Sequence, residues 1–80
     1  MHELGMARSI AAIVGEHARG RRVRGVRVAI GPRACIERQA LAFCWDIVTE
    51  GTGLAGATLG FVEAEGETFT VKDYEIREDA

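Results

Sequence analysis

The residues best suited to chemistry stand at the start of the chain, Met1-His2-Glu3. Initiator methionine is trimmed only when the next side chain is small, so His2 is expected to leave Met1 in place with a free α-amine. That amine, the His2 backbone nitrogen and the His2 imidazole can close adjacent chelate rings around one metal ion. The amide or the carboxylate of Glu3 can complete a plane of four donors. Square-planar nitrogen and oxygen ligation suits Ni(II) or Cu(II), whereas Zn(II) prefers a tetrahedron and softer ligands. The amine must lose its proton, from an ordinary pKa of about 7.7 to 8.0, and an amide nitrogen gives up its proton only to the metal, so loading weakens as pH falls. The competing view is a polar chain end whose Glu3 lies in the first turn of a helix, where an acid is favourable in any case.

Other chemistry finds little support. The chain has no G-x-x-x-x-G-K phosphate loop, no G-x-S-x-G elbow and no H-E-x-x-H metal pair. Ser9 has no evident base, and Cys35 has only Arg33 and Arg38 as local electropositive partners. A binding protein is therefore expected rather than an enzyme, with a small thiol enzyme built on Cys35 as the remote alternative. His17 lies about 22 Å along a helix from His2, on the apolar side beside Val14, and reads as structural or solvated. Cys44 reads as a small core hydrophobe, Cys35 as a loop thiol, and Trp45 and Phe43 as packing residues. The run Arg19-Gly20-Arg21-Arg22-Val23-Arg24, followed by Arg27, lacks interleaved aromatics or a groove-reading helix, which argues for a solvated face and against nucleic-acid binding.

Eighty residues with 48% hydrophobic and 28% charged side chains and a net charge of -2 fit one globular domain over 1–80. No apolar run reaches the ~20 residues needed to cross a bilayer, and no signal-peptide blocks are present, so a cytoplasmic location is expected. Cys35 and Cys44 fit neither a disulfide framework nor a zinc knuckle and are expected to be reduced.

The elements that must carry these residues are set by hydrophobic period. Met6, Ala7, Ile10, Ala11, Ile13, Val14 and Ala18 recur three and four apart, predicting a helix over 4–18 that stops before Gly20. Val26, Val28 and Ile30 alternate with Arg27 and Ala29, predicting a strand over 23–30 ended by Gly31-Pro32. A second helix is expected over 37–50, with a core stripe of Ile36, Ala40, Phe43, Cys44 and Ile47 widened by Leu41 and Val48. Strands are expected over 57–63 and 68–77. In the last one Phe69 and Val71 fall on one parity, Tyr74 and Ile76 on the other, which predicts a β-bulge near Lys72-Asp73. Because each helix has a single apolar stripe, the fold class is α/β of the α+β kind: two helices on one face of a three-stranded sheet, in the order α-β-α-β-β. Exposure of the last strand at a sheet edge makes a homodimer an expectation.

The segments MHELGMARSIAAIVGEHA, VRGVRVAIG, ALAFCWDIVTEGT, LAGATLGFVE and VKDYEI together resemble the HypA family, nickel metallochaperones of [NiFe]-hydrogenase maturation. The resemblance covers nearly the whole chain. It implies nickel held around His2 and Glu3 and handed on to a HypB-type GTPase and the hydrogenase large subunit. It also places Glu37 at an acidic position that influences nickel binding in some members. One departure stands out. The family inserts a zinc ribbon with two C-x-x-C pairs before its final strand, whereas here Ala64-Glu65-Gly66 runs straight on to Glu67-Thr68-Phe69, in what reads as a short hairpin-like connection. Zinc is accordingly not expected. Two functional readings remain: a nickel-binding metallochaperone-like module using Met1, His2, Glu3 and Glu37 with Ni(II), or a metal-free interaction adaptor on the same scaffold.

Overall fold

A computed structural model describes residues 2–78 of the chain. The elements run α1 (Glu3–Ala18), β1 (Val23–Ile30), α2 (Arg38–Thr49), β2 (Thr58–Glu63) and β3 (Phe69–Ile76), in the expected order. The sheet is arranged β2-β1-β3. β1 pairs parallel with β2 and antiparallel with β3. Both helices cover one face of it. Ala7, Ile10, Val14 and Ala18 of α1, Val26, Val28 and Ile30 of β1, and Leu41 and Trp45 of α2 are buried together. No helix of the described residues is long and apolar enough to cross a membrane.

The change of parity in β3 is resolved as the sequence requires. Arg27 sits opposite Asp73 and Val28 opposite Val71, so Lys72 is the extra residue of a bulge. One inserted residue turns the rest of the strand by half a period. Phe69, Val71, Tyr74 and Ile76 therefore all pack against the core from one face, while Arg27 and Asp73 meet on the other through a two-pronged ion pair, Nε to Oδ1 at 2.8 Å and Nη2 to Oδ2. A second irregularity, at Arg24, lies between the Val23–Ile76 and Gly25–Glu75 pairs.

Two expectations need correction. The core face of α2 is Leu41, Trp45 and Thr49, whereas Phe43 and Ile47 are 69% and 52% exposed. Apolar side chains span more than half the circumference of this helix, so its period leaves the rotation open. Trp45 decides it: the largest side chain is buried with its indole N–H donating to the Ala57 carbonyl at 2.9 Å, and the buried Thr49 hydroxyl donates to the Trp45 carbonyl at 2.8 Å, so no polar atom is stranded. The second correction concerns the 64–68 connection, which is not a hairpin. β2 and β3 flank β1 on opposite sides, so the connection crosses the end of β1. It is clamped there by Ala64 N–H to Ile30 O at 3.0 Å, Gly31 N–H to Thr68 O at 2.9 Å and Arg33 N–H to Gly66 O at 2.8 Å. A Cβ on residue 31 would fall 2.6 Å from the Glu65 carbonyl oxygen and would also strike that of Gly66, so only glycine fits beneath the crossing.

α1 ends at Ala18, as its sequence pattern indicates, but the left-handed cap is Arg19 at φ 53° rather than Gly20 alone. Arg21 folds back on this end, donating from Nε to the Ala18 carbonyl at 2.7 Å and from Nη2 to that of His17 at 3.3 Å. A cation on orphan carbonyls suits the negative pole of a helix.

Candidate metal-binding end

His2 is the N-cap of α1, with extended backbone angles (φ -96°, ψ 94°), and its imidazole makes no capping hydrogen bond. Its carbonyl accepts the first intrahelical bond, from the Met6 N–H at 3.1 Å, and the residue is exposed. The imidazole is thus free of the helix it introduces. Met1 lies outside the described residues.

Glu3 opens α1 and reaches across the fold: its Oε2 accepts from the Glu37 backbone N–H at 3.1 Å. That bond, with a smaller contribution from its own backbone N–H and from nearby His2, holds the Glu3 carboxyl below its ordinary value of 4.5 against a small opposing effect of desolvation. Glu37 is in turn the N-cap of α2, its Oε1 accepting from the Gln39 N–H at 3.0 Å and the Ala40 N–H at 3.3 Å. The two helices therefore bring their N-terminal ends together, each with a carboxylate on the exposed donors. Glu3 and Glu37, 34 positions apart, are joined through a backbone N–H, a link that short-range patterning carries no signal for.

The remaining candidates are dispersed. His17 is exposed at the far end of α1, beside Ile13 and Val14, as a solvated side chain. Cys44 is half-buried against the core, as expected, and Cys35 is exposed, at φ 57°. Phe43 does not pack into the core, while Trp45 does. The basic run is largely spent within the fold, with Arg21 on the end of α1, Arg24 paired to Glu75 at 3.2 Å and Arg27 to Asp73. Among the described residues no three His, Cys, Asp or Glu side chains cluster as a metal site would need.

A family model described as hydrogenase/urease nickel incorporation, metallochaperone, hypA, matches residues 1–72. The chain belongs to the HypA family. Hydrogenase maturation factor HypA of Nostoc punctiforme is 48% identical over 66 residues, which cover 82% of this chain and 58% of that protein. The HypA of Azotobacter chroococcum is 39% identical over 72 residues, covering 86% and 64%. In the solution structure of the Ni metallochaperone HypA from Helicobacter pylori the same fold recurs, with a TM-score of 0.70 at 24% identity over 80% of this chain and 58% of that one. The matched part of the chain thus spans under two thirds of the length of each of these HypA proteins.

Proposed function

We propose that the chain is a non-enzymatic nickel carrier of the HypA type, holding Ni(II) at its first residues for insertion into a [NiFe]-hydrogenase in the cytoplasm. The observation that carries this reading is the exposed His2 imidazole, uncommitted to its helix, at the head of a HypA-family chain. The donors would be the Met1 amine, the His2 amide and imidazole, and the Glu3 amide. The first N–H groups of a helix have no intrahelical acceptor, so deprotonating them breaks no helix bond. Because the Glu3 carboxylate already accepts from Glu37, the amide is the better fourth donor, with the carboxylate offsetting the positive helix pole that would repel a cation. Glu37 has a supporting part, capping α2 and holding Glu3 in place.

By family resemblance the recipients are a HypB-type GTPase and the hydrogenase large subunit. Zinc has no part in the reading, since residues 64–68 carry neither cysteine nor histidine. Calorimetric titration of Ni(II) into untagged protein tests it. Binding near one equivalent is expected at about pH 8, weaker binding at about pH 6, and none for His2→Ala. Equally weak binding by His2→Ala and the native chain would overturn the proposal in favour of a metal-free adaptor.

A further inference from the structure

We infer that the outer side of the helical layer, centred on Phe43 and Ile47, is a docking surface for a basic amphipathic helix of a partner protein. Phe43 and Ile47 stand four apart on α2, so they share one stripe, and they are 69% and 52% exposed. Ala40 and Cys44, both half-buried, lie next to them on the helix surface. Leu4, 40% exposed, continues the patch onto α1. It shares a stripe with Ala11 and Gly15, which line a cavity with Gly53 and Leu54 just beyond α2, and so it stands on the side of α1 that faces α2. Of the large apolar side chains exposed among the described residues, only Ile13 turns elsewhere, toward Phe69 and Val71 of β3.

Charge decides what this patch accepts. Asp46 lies in the last turn of α2, Glu50 is its C-cap, and no basic residue stands in that turn. Carboxylates are unfavourable at the negative pole of a helix, and the corresponding end of α1 is neutralised by Arg21. Asp46 and Glu50 are exposed, and neither joins an ion pair among the described residues. Asp46 follows Phe43 by three positions and Glu50 follows Ile47 by three, so the acids run beside the apolar stripe.

An apolar strip with an anionic margin matches a helix that carries leucine-like side chains on one stripe and lysine or arginine beside it. The cations would also offset the uncompensated pole of α2. A partner strand finds nothing to pair with here, because the backbone groups of α2 are used within the helix itself. Nucleic acid and anionic membranes are repelled by the same carboxylates. The inference is independent of the nickel reading.

Fluorescence anisotropy tests it, with the untagged protein titrated into a labelled leucine–lysine peptide of about 14 residues whose leucines follow the helical period. Saturable binding is expected with a Kd below about 100 μM, weakening as salt rises. Phe43→Ser and Ile47→Ser should each raise the Kd about tenfold. Asp46→Asn combined with Glu50→Gln should raise it about fivefold and flatten its salt dependence. Ile13→Ser, on the side of β3, should leave it unchanged, and replacing the peptide's lysines with glutamate should abolish binding. Each variant should keep its far-ultraviolet circular dichroism. No saturable binding up to about 500 μM, equal binding of the glutamate peptide, or a Kd indifferent to Phe43→Ser would overturn the inference. So would sedimentation showing a dimer of the chain that Phe43→Ser dissolves, since the face would then belong to a second copy.

Discussion

At the scale of single residues, Glu3 is the one whose surroundings matter most. Its carboxylate is favoured in the folded chain by the Glu37 N–H, and Asp73 is favoured likewise by Arg27. A carboxyl group depressed on folding stabilises the native state above its unfolded pKa, and that contribution disappears as pH falls through the lower folded value. Denaturation midpoints taken below the ordinary value of 4.5 should therefore fall less steeply with pH in Glu3→Gln than in the native protein, and an unchanged slope would dissociate Glu3 from α2. Glu37→Ala removes the cap of α2 and should lower stability by about 0.5 to 1 kcal/mol, read from urea unfolding. Its nickel stoichiometry should be retained, because the Glu37 backbone N–H survives the substitution. Loss of the metal with the fold intact would make the Glu37 carboxylate a ligand instead.

At the scale of elements, α2 shows how one polar atom sets a helix's rotation. Turning it to bury Phe43 and Ile47 would bring Trp45 and Thr49 toward solvent and strand the Ala57 carbonyl that the indole satisfies. Trp45→Phe keeps most of the apolar volume but leaves that carbonyl without its donor, at a cost of about 1 to 3 kcal/mol. Chemical denaturation followed by circular dichroism should show the loss, while Phe43→Ser, exposed on the opposite side, should change stability by no more than about 0.5 kcal/mol.

Across the whole molecule, the decisive arrangement is the central place of β1. Its parallel pairing to β2 and antiparallel pairing to β3 send residues 64–68 over the end of the strand, where Gly31 lies beneath them. Gly31→Ala forces a methyl group into backbone oxygens rather than into a flexible side chain. It should destabilise the protein by about 2 kcal/mol, a fall in Tm of about 10 °C for a chain of this size, measurable by calorimetry. The same crossing is where the HypA resemblance places a zinc ribbon, and here a short clamped connector closes the fold without one.

Local patterning was enough to reveal the kinds and order of the elements, because helix and strand periods are written in neighbouring side chains. It revealed the bulge too, since Phe69 and Val71 cannot share a face with Tyr74 and Ile76 unless one residue is inserted. The proposed Met1-His2-Glu3 donor set can be named from the sequence because its residues are consecutive. Three things depended on distant parts of the chain meeting: the rotation of α2, settled by Trp45 finding the Ala57 carbonyl; the order β2-β1-β3, settled by which edges β1 could offer; and the contact of Glu3 with Glu37. Each rests on a hydrogen bond or packed face between segments far apart in sequence, and no period within either segment encodes the partner.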